Sequence, residues 1–238
     1  MRITFDSIAA QAHPEWQTIV VTSRGAVLPS LPQKFRHVEV DLPCPSLPGA
    51  DRPTEELYDA IRDDKGARVW AGLQTVEPRG HFIVVDYDDL VSRRLASTAA
   101  ATPDAAGWYI SHGYLYDGSP IVFRRAGLDR ICGSSAIVHA RYFYPAPADD
   151  LPLFNRQVHG SHKFIKQKLA ALGDPMTPLP YPGAMYRVGH PHAASGSVGV
   201  RQHLGLKSFA REPLQGLRRL RNLSFISPSL RREFFAAA

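Results

Sequence analysis

Apolar and polar positions along the chain follow the two-residue period of strands in some segments and the longer period of helices in others. The segments with a strand-like pattern are residues 16–23, 37–40, 81–85, 108–116 and 119–124. The segments with a helical pattern are residues 5–11, 54–62, 65–76 and 164–172. Because strands and helices alternate in the first half of the chain, the pattern predicts an α/β fold.

The predicted sheet contains antiparallel as well as parallel strands. Asp117-Gly118 lies between two strand-like runs, which is a strong signal for a β-hairpin. Residues 135–144 fit either a further strand or the start of a helix, and the proline-rich residues 176–186 are predicted to be extended. We therefore expect a mixed sheet covered by helices.

The chain has 238 residues, which suits one sizeable domain with or without an appendage. We expect one domain over residues 1–200 and a basic tail over residues 201–238. Cys44 and Cys132 are the only cysteines and form no CxxC pair, so we expect a reducing, cytoplasmic setting. No apolar run approaches the roughly 20 residues that cross a bilayer, and the first residues lack the apolar stretch of a signal peptide.

The formal charge of +6 and the sequence pI of 9.5 favour anionic partners without choosing among them. In the tail, Leu214, Leu217 and Leu220 recur at three-residue spacing between arginines, so Pro213 is predicted to open an amphipathic helix. Such a helix either lies on an anionic surface, here the inner membrane, or packs on the domain with its arginines in solvent.

An acidic cluster follows the most apolar strand-like run. Asp86, Asp88 and Asp89 come directly after residues 81–85, and ligands of open α/β sheets bind at the carboxyl ends of strands. Three close carboxylates repel one another, and a hard divalent cation such as Mn²⁺ or Mg²⁺ relieves that repulsion. The alternative is an acidic turn in which Asp89 caps a helix beginning at Leu90.

Several short motifs resemble those of family-2-like GT-A glycosyltransferases. The motifs leading into the acidic cluster are Gly66-Ala67-Arg68, Gly72-Leu73, Gly80-His81-Phe82-Ile83 and Asp86-Tyr87-Asp88-Asp89. The later ones, Gly133-Ser134-Ser135, Gly160-Ser161-His162 and residues 180–189, are similar to the rhamnosyltransferase-type branch of bacterial surface-polysaccharide enzymes. The order and spacing of these motifs carry the resemblance over residues 5–196.

The resemblance implies a GT-A mixed-sheet sandwich that transfers a sugar from a nucleotide-sugar donor to a glycan or lipid-linked acceptor. It implies that Asp86 contacts the ribose or the metal and that Asp88 coordinates Mn²⁺ or Mg²⁺. Asp64, Lys65 and Arg68 would then lie near the base and phosphates. Two features depart from the family pattern: we expect its first strand to be absent, and Thr22-Ser23 stand where an acid is usual.

The resemblance also implies a histidine near the metal and a carboxylate base. His162 is the first candidate ligand and His192 the second, although a histidine taken alone is more often an ordinary surface or core residue. Asp149 and Asp150 lie where the family places its base, and an exposed Asp-Asp loop is equally consistent with them. Asp129 is a further candidate.

Two neighbouring features have both a functional and a structural interpretation. Gly133-Ser134-Ser135 is either a small-residue loop that lets a sugar approach or an ordinary turn. Trp108, Tyr109, His112 and Tyr114 are either an acceptor platform or, as we favour, core residues at strand spacing.

Two further functions compete with sugar transfer. The first is a catalytically impaired, transferase-like binding protein, which the missing first strand favours. The second is nucleic-acid binding through the basic surface, although the sequence holds no recognisable nucleic-acid module, so we expect no nucleic-acid partner.

Overall fold

The computed structural model describes residues 1–42, 55–146, 149–189, 199–200 and 220–236. Within these ranges the α-helices are α1 Arg2–Ala9, α2 Glu55–Val76, α3 Leu95–Ala101, α4 Leu151–Phe154, α5 His162–Ala171 and α6 Pro228–Phe234. The strands are β1 Thr18–Ser23, β2 Phe35–Val40, β3 His81–Ile83, β4 Leu90–Val91, β5 Gly107–Tyr109, β6 His112–Tyr116, β7 Ile121–Ala126, β8 Ala136–His139, β9 Thr177–Pro178, β10 Ala184–Arg187 and β11 Leu223–Phe225. The α/β class with mixed sheets is therefore confirmed.

The described strands form three sheets. β1 and β2 are a parallel pair. A four-stranded sheet has the order β3-β8-β5-β9, and a five-stranded sheet has the order β11-β7-β6-β10-β4. Each of the two larger sheets combines antiparallel pairs with one parallel pair, β5 with β9 and β6 with β10.

The hydrophobic core lies between these sheets and the helices around them. Its largest cluster includes Val91, Ile110, Leu115, Leu128 and Val188, all at most 2% exposed. A second cluster joins β8 to α5 and the helical segment before it. The core therefore surrounds the short loops that link the four-stranded sheet to the five-stranded one.

Residues 55–76 form one continuous helix, so the prediction of two helices over residues 54–62 and 65–76 is wrong. Gly66 and Gly72, both within the second predicted helix, lie where α2 meets its neighbours. A Cβ at Gly66 would lie 2.3 Å from the Asn155 carbonyl oxygen, and one at Gly72 would lie 2.9 Å from Val21 Cγ2. The low helix propensity of glycine is thus offset by close packing. The predicted N-cap Thr54 lies outside the described residues.

The predicted strands agree with the structure in part. β1, β2 and the β6–β7 hairpin are confirmed. The run of residues 81–85 is shorter than predicted, since β3 ends at Ile83. The run of residues 108–116 is two strands, because the chain passes from one sheet to another between β5 and β6. Residues 135–144 contain the strand β8 followed by a short 3-10 helix, Ala140–Tyr142.

The end of the chain packs on the body of the fold. β11 pairs with β7, and Phe234 of α6 is 1% exposed. Glu233 accepts hydrogen bonds from Ser92 and Arg94. Residues 220–236 thus match the interpretation of a tail packed on the domain, while the helix predicted from Pro213 lies outside the described residues. Among the described helices, none is both long and apolar enough to cross a bilayer.

Candidate functional site

The acidic turn, residues 86–89, connects β3 to β4. Its backbone closes through the Asp89 amide, which donates to the Asp86 carbonyl oxygen at 3.1 Å. Asp89 is followed by the strand β4 and not by a helix. The alternative interpretation, in which Asp89 caps a helix, is therefore wrong.

Asp89 is buried and organises the inside of the turn. It is fully excluded from solvent, and its carboxylate accepts hydrogen bonds from Ser134 Oγ at 2.7 Å, Cys132 Sγ at 3.3 Å and the Arg187 amide at 2.9 Å. Burial and the nearby charge of Asp86 raise the pKa of Asp89 to about 7, although the bonds from Ser134 and Arg187 oppose the rise. Asp89 is thus a structural anchor of the turn and does not face a ligand.

Asp86 lies on the outer side of the turn and pairs with Lys65 of α2. Its amide donates to Ser134 Oγ at 2.8 Å, so one serine hydroxyl links the Asp86 backbone to the Asp89 carboxylate. Burial alone would lower the pKa of Lys65, but the charge and hydrogen bond of Asp86 outweigh it and leave the pKa raised. The structure therefore brings together two of the predicted site residues.

Gly133 makes room for this ion pair. A Cβ at this position would lie 2.3 Å from Asp86 Oδ2 and 2.8 Å from Lys65 Nζ. The small-residue loop of residues 133–135 therefore permits a close approach, but by the acidic turn and α2 of the same chain. Neither Cys132 nor Ser134 was predicted as a partner of Asp89; the small residues of this loop were the one signal in the sequence.

His162 lies at the start of α5, next to the same ion pair. It lines a small cavity together with Lys65 and Gly133, and apolar side chains of β3, β8 and α5 form the other walls. Its Nε2 atom is buried and has no hydrogen-bond partner among the described residues. Burial and the charge of Lys65 lower the pKa of His162 to about 4, so the ring is neutral at pH 7.

The cavity has about 20 Å³ of space for the centre of a water molecule. That is enough for an ordered water. The cavity is too small for a nucleotide.

Asp64 and Arg68 pair with each other on α2. Arg68 Nε lies 2.9 Å from Asp64 Oδ2, and Arg68 Nη2 lies 2.8 Å from Asp64 Oδ1. The two side chains are 23% and 17% exposed, and they belong to the same helix as Lys65. Their charges neutralise each other where the resemblance implies contacts to a nucleotide.

The predicted base candidates lie at the start of α4. Both Asp149 and Asp150 are exposed, and Asp150 Oδ1 accepts a hydrogen bond from the Leu153 amide at 3.4 Å as the N-cap of α4. Asp129, the further candidate, is paired with Lys166 at 2.7 Å. None of these three carboxylates has a hydrogen bond to the acidic turn among the bonds of the described residues.

The aromatic residues around β5 and β6 belong mainly to the core. Trp108 is 7% exposed and packs on His81, with ring centroids 4.8 Å apart. Tyr114 contacts the ring of Phe234. Only His112 of the predicted platform is exposed, so the core interpretation describes this group better.

Within the part of the chain that the structure describes, no three His, Cys, Asp or Glu side chains converge as a ready-made metal site. Asp86, Asp88 and His162 therefore do not form a closed set of ligands, and His192 lies outside the described residues. Comparison of the chain with protein-family models, curated proteins and solved structures found no match.

Proposed function

We propose that this chain is a GT-A-type glycosyltransferase that moves a sugar from a nucleotide-sugar donor to a glycan or lipid-linked acceptor. The observation that carries the proposal is the acidic turn at the carboxyl end of β3, with Asp86 held between Lys65 and Gly133. Ligands of open α/β sheets bind at such an edge. The strands β1 and β2 and the helix α2, which carries Lys65, precede the turn along the chain.

The donor set fits a divalent cation that is shared with a diphosphate. Mg²⁺ is commonly held by one or two carboxylates together with phosphate oxygens and water, and not by an all-protein cage. Lys65 contacts Asp86 Oδ1, and Oδ2 lies in the space that a side chain at residue 133 would occupy. Asp86 and Asp88 would hold Mn²⁺ or Mg²⁺, and the ion would neutralise charge on the leaving diphosphate.

The chain's own residues would bind and orient the donor. Lys65 lies next to Asp86 and is kept charged by it, so it can attract a phosphate. Asp64 and Arg68 would exchange part of their mutual pairing for contacts with the nucleotide. Asp149 is the better candidate for the base that accepts the proton of the acceptor hydroxyl, because Asp150 already caps α4.

Calorimetric titration with UDP, GDP and dTDP, each with and without Mn²⁺, tests this proposal. We expect metal-dependent binding of one nucleotide, and a loss of at least about tenfold in affinity in Asp88→Asn. Asp41→Asn is the matched control, because Asp41 has an 87% exposed side chain and lies outside the site. Binding of none of the three nucleotides under either condition refutes the proposal.

The Lys65–Asp86 ion pair also favours a second candidate function. A lysine ammonium already neutralises the carboxylate that a metal would need, as expected of an impaired transferase that binds nucleotides without transferring sugar. This alternative predicts that EDTA leaves nucleotide affinity unchanged and that donor hydrolysis is absent with Mn²⁺. Metal-dependent affinity or turnover would exclude it.

A further inference from the structure

A stripe of polar side chains on α1 faces the acidic turn and the strand after it. Thr4, Ser7 and Gln11 recur at three- and four-residue spacing, which places them on one side of α1 and the turn that follows it. Thr4 and Ser7 are only 2% and 1% exposed. Buried polar side chains are expected to be hydrogen-bonded, and the partners of these three are informative.

The first two residues of the stripe contact the acidic turn and β4. Thr4 Oγ1 donates to the Tyr87 carbonyl oxygen at 2.9 Å. Ser7 Oγ donates to the Thr4 carbonyl oxygen at 2.8 Å and accepts from the Val91 amide at 3.2 Å. Thr4 thus holds a peptide group that lies between Asp86 and Asp88.

The stripe continues along the chain after the turn. Gln11 Nε2 donates to the Ser92 carbonyl oxygen at 2.9 Å, and Gln11 Oε1 accepts from the Ala96 amide at 2.9 Å. The Ala12 amide donates to the Arg93 carbonyl oxygen at 2.8 Å. Along α1 and the turn after it, each successive residue therefore bonds to a residue further along the chain after the acidic turn.

We propose that Thr4, supported by Ser7, is a positioning residue that fixes the orientation of the acidic turn and so aims Asp86 and Asp88 at a ligand. The turn is held at a second point by Asp89, which is bonded to Ser134 and to the Arg187 amide. Hydrogen bonds from two separate parts of the chain thus restrain the turn. The inference has a ligand-aiming half, that the turn orients Asp86 and Asp88 toward a ligand, and this half rests on the proposed function. The other half, that Thr4 fixes the turn, does not.

The test compares Thr4→Val, which replaces the hydroxyl group with a methyl group of similar size, with Thr4→Ser, which keeps the hydroxyl group. Thr75→Val is the matched control, because Thr75 Oγ1 also donates to a backbone carbonyl oxygen, that of Gly72 at 2.7 Å, but within α2. One readout is hydrogen exchange of the Asp89 amide, whose bond to Asp86 closes the turn. The other is the affinity for UDP, GDP and dTDP with Mn²⁺.

In Thr4→Val we expect hydrogen exchange of the Asp89 amide to be about tenfold faster and the affinity for the Mn²⁺-nucleotide to be about tenfold weaker. Thr4→Ser should have the exchange rate and the affinity of the wild type. Thr75→Val should change neither the exchange rate nor the affinity. Unchanged exchange at Asp89 in Thr4→Val overturns the inference. Unchanged affinity despite faster exchange overturns its ligand-aiming half. Faster exchange in a protein whose wild type binds no nucleotide supports the fixing of the turn and refutes the proposed function instead.

Discussion

Replacing Gly133 by alanine tests the geometry of the candidate site directly. The added Cβ would lie 2.3 Å from Asp86 Oδ2, whereas ordinary contacts begin near 3.4 Å, so the carboxylate or the loop has to move by about 1 Å. Gly133 is not one of the glycines with positive φ, which means that the backbone itself accepts alanine. The atoms that the Cβ would meet, Asp86 Oδ2 and Lys65 Nζ, are the ends of side chains that can move, so we expect a cost at the lower end of the range for overpacking, about 1 kcal/mol.

Gly80→Ala is the matched control, because Gly80 also lacks a positive φ and a Cβ added there would meet no atom within 4 Å. Urea unfolding should show that Gly133→Ala is less stable than Gly80→Ala by about 1 kcal/mol. Gly80→Ala should be as stable as the wild type or more stable by up to about 1 kcal/mol. Nucleotide titration should show weaker binding in Gly133→Ala alone. Equal stability of the two variants would refute the close approach of Asp86 to Gly133.

Three further predictions concern stability. Phe234→Ala should lower the free energy of unfolding by about 3–5 kcal/mol. Phe225→Ala, at a 74% exposed position, should change this free energy little. Equal effects of the two substitutions in urea unfolding would contradict the packing of α6 on the domain. Lys65→Met should lower the free energy of unfolding by about 1 kcal/mol because Asp86, which is 33% exposed, loses its ion-pair partner. Adding Asp86→Asn should recover part of that loss, and no recovery would mean that the two side chains are not coupled. Burial lowers the pKa of His159 to about 4, so the unfolded chain binds a proton first, and this residue should cost about 3 kcal/mol of stability as the pH falls from 6.5 to 4. Comparing His159→Gln with the wild type at both pH values isolates this effect, and parallel pH profiles would contradict it.

The sequence predicted the elements whose signals are local. β1 and β2 were identified from β-branched runs, the β6–β7 hairpin from Asp117-Gly118, and α5 from its period and the glycine that ends it. These patterns reflect the backbone preferences of neighbouring residues, so they survive in the folded chain. The same reasoning placed Asp86 directly after an apolar strand, whereas β3 ends at Ile83 and two residues separate it from Asp86.

Other features depended on contacts between distant parts of the chain. Residues 54–62 and 65–76 were predicted as two helices, but only the folded chain shows one continuous α2, in which Gly66 and Gly72 pack against Asn155 and Val21. Of the stripe, Ser7 and Gln11 fell within the helix predicted over residues 5–11, and Thr4 lay just before it. The partners of the stripe lie more than 80 residues away, and no local pattern specifies them.

The acidic cluster shows the same division. The sequence by itself determined that three aspartates follow an apolar strand, because that is a property of neighbouring residues. Only the tertiary structure decided that Asp89 turns inward to Ser134 and Arg187 while Asp86 turns outward to Lys65. The physical reason is that a carboxylate can be buried only where donors are supplied, and here those donors come from the loop after β7 and from β10.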